Sequence, residues 1–267
     1  MFPKSRSFFL IAGPCVLESE PLALQIAASL RETTARLGIP FCFKASFDKA
    51  NRSSLGSYRG PGLAAGLETL GRIREKLGIP VTTDIHESAQ AAPVAAVVDL
   101  LQIPAFLSRQ TDLLLAAAET GKPVNVKKGQ FLAASDVDRI AEKLRSAGCS
   151  HFFFTERGTS FGYHDLVVDM RNLVRMRKSG HRVIFDATHS VQKPSALGSA
   201  SGGDRDLAYP LARAAVAVGI DGLFLETHPA PEESPSDGAT MIPLAQVPSV
   251  LEKLLKIHEA AEPGEPA

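Results

Sequence analysis

The chain of 267 residues carries 29 Lys+Arg against 29 Asp+Glu, is 45% hydrophobic, and has three cysteines and no tryptophan. That length suits one α/β barrel, whose eight strand–helix units need roughly 250 residues. Balanced charge argues against an extended nucleic-acid footprint, which needs a surplus of Lys and Arg to displace counterions. Cys15, Cys42 and Cys149 are too few for a disulfide framework, and an odd number in a secreted protein leaves an orphan thiol. The first residues contain only a short apolar run, and no later segment approaches about eighteen uninterrupted apolar residues. A soluble, cytoplasmic protein with no membrane partner is expected.

In chain order, residues 8–14 (FFLIAGP) read as a strand. Ser19 then heads a segment in which Ala23, Ile26, Ala27 and Leu30 share a helical face, and Gly38-Ile39-Pro40 closes it. Strand-like runs follow at 40–47, 81–85, 100–106 and 124–129. Ser135 with Asp138 resembles a capping box for a helix whose Val137, Ile140, Ala141 and Leu144 share a face, with Gly148 as its stop. Runs at 151–157 and 182–189 precede a helix over 206–218, whose buried face is predicted to be Leu207, Leu211, Ala215 and Val218; the last run is 222–229. Near-continuous apolar runs fit strands covered on both faces. Eight alternating units, with no Gly-rich dinucleotide turn among them, predict a closed (β/α)8 barrel. The whole chain reads as one domain, its core at about residues 8–260, with a mobile loop at 197–203 and a frayed tail, EPGEPA.

In such a barrel the active site lies at the C-terminal strand ends. Those ends are polar here: Cys15; Lys44, Ser46 and Lys49; Asp84 and His86; Gln102, with Arg109 beyond; Asn125 and Lys127; Glu156 and Arg157; Asp186 and His189; Glu226 and His228. Burying such groups is costly without partners, so a ligand is implied. The cations Lys44, Lys49, Arg52, Arg109, Lys127, Lys128 and Arg157 can hold phosphate or carboxylate groups. Each also has an ordinary reading as a solvated loop residue or the partner of a strand-end carboxylate. Lys128, which points opposite to Lys127, takes that ordinary reading.

Cys15, His189, Glu226 and Asp237 come from strands one, seven and eight and the loop beyond, which closure makes neighbours. A thiolate, an imidazole and two carboxylates suit a borderline divalent ion such as Zn, Fe, Mn or Co. Singly, each is also an ordinary core or ion-paired residue, and spacing alone does not choose between the two. His86 reads equally as a substrate contact or a structural residue. His151 reads as structural, His181 and His258 as surface residues, and Cys42 and Cys149 lack ligand-like company.

The segments IAGPCVLES, FKASFDKANRSS, TTDIHE, QIPAFLSRQTDLLLAAAETG, VNVKKGQF, TERGTSFGYHDLVVDMRN, FDATHSVQ, SGGDRDLAYPLARAAVAVGIDG and LETHPAP together resemble the 3-deoxy-D-manno-octulosonate 8-phosphate synthases, also called 2-dehydro-3-deoxyphosphooctonate aldolases. The resemblance covers nearly the whole chain. It implies a transferase with a (β/α)8 barrel, commonly a homotetramer, that condenses phosphoenolpyruvate with D-arabinose 5-phosphate and water on the way to lipopolysaccharide. By the family's motifs, Lys49, Lys127 and Arg157 hold phosphoenolpyruvate, with Lys44, Ser46, Gln102 and the Pro104-Ala105 turn nearby. Asn51, Arg52 and Ser53 bind the sugar phosphate, joined by Arg109 from a neighbouring subunit, with His86 also at the substrate. Catalytic contributions fall to Lys49, Asn51, Lys127, Arg157, His189 and Asp237. One form of the family needs a divalent metal and another carries Asn in place of the strand-one Cys; Cys15, His189, Glu226 and Asp237 match the metal-dependent form.

The nearest rival is a 3-deoxy-D-arabino-heptulosonate 7-phosphate synthase, which takes erythrose 4-phosphate, but the run 49–54 (KANRSS) looks like the octulosonate enzymes'. More remote are a metal-dependent barrel hydrolase or aldolase, against which the dense cation set argues, and a non-catalytic binding module, whose strand-end charges should pair around no pocket.

Overall fold

The computed structural model describes residues 8–52, 54–194 and 202–261. Eight parallel strands close into a barrel: β1 (Phe9–Gly13), β2 (Phe41–Lys44), β3 (Val81–Asp84), β4 (Leu100–Ile103), β5 (Val124–Lys127), β6 (Phe152–Glu156), β7 (Val183–Asp186) and β8 (Gly222–His228). Each pairs with its sequence neighbour, and β8 returns to β1 with Gly13 opposite Glu226. Around them run α1 (Glu20–Leu37), α2 (Leu63–Leu77), α3 (Ala91–Val97), α4 (Thr111–Glu119), α5 (Val137–Ser146), α6 (Arg171–Lys178), α7 (Ala208–Val218) and α8 (Val247–Ala261). None of the described helices is long and apolar enough to cross a membrane. Ser53, most of the 197–203 loop and the 262–267 tail, all singled out in the sequence, lie outside the described residues.

Strand alternation produces two cores. Phe9, Ile11, Cys42, Leu100, Phe153, Ile184 and Phe224 fill the barrel interior, while Leu10, Ala12, Phe43, Leu101, Phe154 and Phe185 face the helices. Two residues further along each inward row the chemistry changes: Cys42 is followed by Lys44, Leu100 by Gln102, Phe153 by Thr155, Ile184 by Asp186 and Phe224 by Glu226. Apolar stems anchor the bottom of the barrel, and polar residues crowd its C-terminal end.

The helices follow the expected rules with instructive exceptions. Ser19 accepts the Leu22 N–H at 3.3 Å, Gly38 ends α1 at φ +66°, and Ala23, Ile26, Ala27 and Leu30 are buried as expected. At α5 the acidic cap is Asp136, whose carboxylate accepts the Ala133 N–H at 2.9 Å, rather than the Ser135/Asp138 box. Asp138 is instead 2.6 Å from Nε2 of His181, which is buried edge-on to Phe154 and is not a surface residue. His258 is half-buried against Phe8. In α7 the buried stripe is Ala208, Ala212, Ala215 and Val216, leaving Leu207 and Val218 exposed. Small side chains let this helix lie close on the barrel, an arrangement that side-chain size alone misassigns. After β6 a hairpin (Thr159–Gly162 with Asp165–Val167) extends outward, turning through Tyr163 and His164 at φ +54° and +62°. Without Gly or Asn in that turn, the hairpin has no sequence signature.

Candidate active site

A cavity of about 200 Å³ opens at the C-terminal strand ends, lined by Lys44, Lys49, Asn51, His86, Gln102, Pro104, Ala105, Lys127, Arg157 and His189 among others. Its floor is a chain of hydrogen bonds across five strands. Ser46 Oγ donates to Asp84 Oδ2 at 2.5 Å, and Gln102 Nε2 donates to Asp84 Oδ1 at 2.7 Å. Asn125 Nδ2 donates to Gln102 Oε1 at 2.9 Å, and Thr155 Oγ1 to Asn125 Oδ1 at 2.7 Å. Each amide is therefore fixed in orientation by a donor on one side and an acceptor on the other.

Above the floor lie the charges. Lys44 Nζ is 3.1 Å from Glu226 Oε1 and 3.6 Å from Asp84 Oδ2. Burial and the ammonium groups of Lys44 and Lys49 compete at Asp84, and the cations win, holding its carboxyl well below the usual range. Lys127 contacts Asp186 and sits 3.1 Å from the Phe224 ring centroid. Burial outweighs Asp186 and pulls the Lys127 ammonium down to about 8. At the half-buried Lys49, burial is opposed by the carboxylates of Glu226, Asp84 and Asp237, and the anions keep it above its ordinary value. Arg157 Nη2 donates to Gln192 Oε1 at 2.6 Å, while its Nη1 is buried with no hydrogen-bond partner. A desolvated guanidinium nitrogen facing a cavity is a place for an anion.

His86 lines the same cavity edge-on to Phe47; its Nδ1 is buried without a partner, and burial lowers its pKa, favouring neutral imidazole. Arg52 donates to the Tyr58 carbonyl at 2.9 Å and the Pro235 carbonyl at 3.3 Å, tying the loop after β2 to the loop after β8. Arg109 is exposed and does not line its own cavity. Lys128 is wholly buried rather than solvated, 3.5 Å from Glu156, so the ion-paired half of its ordinary reading describes it.

Beside the cavity, Cys15, Glu226 and Asp237 bring their donor atoms within 4.8 Å of one another. Cys15 Sγ is 2.9 Å from Ser236 Oγ and donates to Asp237 Oδ2 at 3.0 Å. Asp237 sits at φ +54° and accepts from Gln192 Nε2 at 2.8 Å. His189 stands at the edge of this cluster, not fully within it. Its Nε2 is 3.6 Å from Glu226 Oε1, and its Nδ1 is 2.8 Å from Asp186 Oδ2 but out of line for a hydrogen bond. These residues fit a divalent cation on two counts. Glu226 Oε2 is buried without a partner, and burial together with Asp237 and Glu226 pushes the Cys15 thiol far up, a setting in which a thiolate needs a cation.

Sequence reasoning missed Gln192, Ser236 and Gln130 as site residues. Gln130 and Ser236 lie in loops and Gln192 in a two-residue strand, all too short or irregular for periodicity to aim a side chain. Asp84 and Asp186 stood among the polar strand ends, and their role as counter-ions emerges only from the contacts.

A parallel barrel with a cationic cavity beside a thiol–carboxylate cluster defines the class, and the chain belongs to the DAHP synthetase I family, whose family model matches residues 4–262. It is similar to proteins named 2-dehydro-3-deoxyphosphooctonate aldolase: 58% identical over 255 residues to that of a Cyanothece species, covering 96% of this chain and 93% of the relative. The Fusobacterium nucleatum protein of that name is 54% identical over 259 residues (97% and 93%), and that of Bordetella petrii 56% over 261 residues (96% and 92%).

Proposed function

We propose that this enzyme condenses phosphoenolpyruvate with D-arabinose 5-phosphate and water, releasing inorganic phosphate and an eight-carbon phosphorylated sugar acid used for lipopolysaccharide. The observation that carries the reading is the cavity in which Lys49, Lys127 and the unpaired Nη1 of Arg157 converge, in a chain similar to the 2-dehydro-3-deoxyphosphooctonate aldolases.

Two phosphorylated molecules repel each other in water. A fixed cationic mouth neutralises both and makes their encounter intramolecular, which can supply ~7–11 kcal/mol. In this reading Lys49, Lys127 and Arg157 grip phosphoenolpyruvate, with Lys44, Ser46, Gln102 and the Pro104-Ala105 turn shaping the floor beneath it. Asn51, Arg52 and Ser53 receive the sugar phosphate, and His86 faces the substrates from the cavity wall. As C3 of the enol attacks the aldehyde carbon, positive charge grows at C2, water adds there, and phosphate departs. Lys127 and Arg157 offset the charge on the departing and newly formed oxygens.

Cys15, Glu226 and Asp237, with His189 beside them, would hold a divalent ion (Zn, Fe, Mn or Co). When bound, such an ion supplies Lewis acidity at the aldehyde oxygen. In the same reading, which rests on the likeness to the 2-dehydro-3-deoxyphosphooctonate aldolases, the exposed Arg109 reaches a neighbouring active site in a homotetramer. Three free thiols suit a cytoplasmic setting.

The deciding measurement is phosphate release from phosphoenolpyruvate with arabinose 5-phosphate or erythrose 4-phosphate, before and after chelation. Release with the five-carbon aldehyde alone, lost on chelation, is expected. A preference for erythrose 4-phosphate would transfer the chain to the heptulosonate branch.

A further inference from the structure

We propose that the buried ion pair Lys128–Glu156, on the helix-facing side of the barrel, positions Arg157 and thereby sets affinity for the anionic enol substrate; the proposal rests on the functional reading above.

The geometry begins with strand parity. Lys127 points inward at the end of β5, so Lys128 points outward, into the layer between strands and helices, where it is fully buried. Its ammonium donates to the Leu132 carbonyl at 3.1 Å, the Gly129 carbonyl at 3.3 Å and Thr159 Oγ1 at 3.4 Å, and lies 3.5 Å from Glu156 Oε1. That same carboxylate oxygen accepts the Arg157 N–H at 3.0 Å and the Gly158 N–H at 2.8 Å. Gly158 turns the chain at φ +88°. One ammonium therefore fixes the turn after β5 directly and, through one carboxylate oxygen, the turn from which the Arg157 side chain departs. Beyond it, the Arg157 guanidinium donates to Gln192, and Gln192 in turn to Asp237.

Stability alone gives a weak reason for this pair. Removing two charges from water costs several kcal/mol, and well-packed apolar residues commonly serve as well or better. What an apolar pair cannot do is hold two backbone N–H groups at one charged acceptor and fix the direction in which Arg157 leaves the strand. Partners that orient a primary ligand in this way typically matter by about tenfold to a hundredfold.

The test pairs Lys128→Met/Glu156→Leu, which leaves no buried charge, with Lys128→Arg, which keeps the pair. Turnover and calorimetric binding of phosphoenolpyruvate alone are measured on each, together with melting. The double variant is expected to fold but to melt below the wild type, because the Arg157 and Gly158 N–H groups and the Gly129 and Leu132 carbonyls lose their partners, and to bind phosphoenolpyruvate about tenfold to a hundredfold more weakly, with KM for the aldehyde unchanged. Lys128→Arg should retain the affinity. A folded double variant with wild-type affinity overturns the proposal. If the double variant does not fold, Glu156→Gln, which keeps the shape and one acceptor oxygen, decides: a rise in KM of about tenfold supports the proposal and an unchanged KM overturns it. Wild-type protein that binds phosphoenolpyruvate without turning it over sinks the functional reading alone, because affinity still reports on positioning.

Discussion

The thiol of Cys15 lies 3.0 Å from Oδ2 of Asp237, although 222 positions separate them in the chain. Barrel closure makes the contact: β1 pairs with β8, and the loop after β8 folds back over the same end. The thiol is fully buried beside two carboxylates, so its proton is hard to lose until a cation takes its place. Cys15→Ala should fold normally, fail to retain the divalent ion proposed for this cluster, and fall to the activity of chelator-treated wild type. Elemental analysis of purified protein checks this, with melting as the control for folding. A variant that keeps a stoichiometric ion would exclude Cys15 as a ligand.

The buried Lys127 ammonium loses its proton near pH 8 in the free protein. Its folded value lies below the ordinary one of 10.5, so the unfolded chain binds more protons between those values, and this group's contribution to stability rises with pH across that window. Function runs the other way, since only the ammonium grips an anion. The alkaline limb of kcat/KM for phosphoenolpyruvate should fall with a midpoint near 8, and that of kcat should lie higher because bound phosphate stabilises the ammonium. Lys127→Arg should remove the limb from kcat/KM. A limb that persists in that variant belongs to another group.

The eight barrel strands were legible because strands covered on both faces must be apolar throughout, and the β-branched and aromatic runs mark them. The inward aim of Lys127, opposite to Lys128, followed from parity along its strand, Lys44 and Gln102 were marked only as polar strand ends, and the meeting of Cys15 with Glu226 followed from closure. What stayed hidden has local causes. The hairpin 159–167 is largely exposed and turns through Tyr163 and His164, so neither pattern nor turn chemistry announced it. In α7 the closely packed face is alanine, which carries little hydrophobic signal. Gln192 reaches the cluster from a two-residue strand and Ser236 from an irregular loop, and their aim depends on contacts that only the folded chain supplies.

Asn125 joins two members of the hydrogen-bonded floor, donating to Gln102 and accepting from Thr155. Asn125→Leu fills a similar volume but leaves Gln102 Oε1 without a donor and the Thr155 hydroxyl without an acceptor, both buried. Each unmet group costs about 1–3 kcal/mol, so a loss of roughly 2–6 kcal/mol is expected. The urea midpoint should fall with an unchanged slope. A loss below about 1 kcal/mol would mean that water or local rearrangement satisfies the floor.

Gly66 and Gly71 occupy the same helix, α2, and helix propensity predicts that alanine at either stabilises by about 1 kcal/mol. Their surroundings differ. A Cβ at Gly71 meets nothing nearer than Val97 Cγ1 at 3.6 Å, an ordinary contact, whereas one at Gly66 falls 2.3 Å from Phe47 Cβ and 3.2 Å from its Cα. Phe47 is buried and supports His86 in the cavity wall, so it has little freedom to retreat. Gly71→Ala should therefore raise the melting temperature, and Gly66→Ala should lower it by overpacking worth about 1–3 kcal/mol while disturbing the cavity. Scanning calorimetry at one heating rate compares them directly. Stabilisation by both substitutions would show that α2 can slide away from Phe47, and that the close approach at Gly66 does not hold the helix in place.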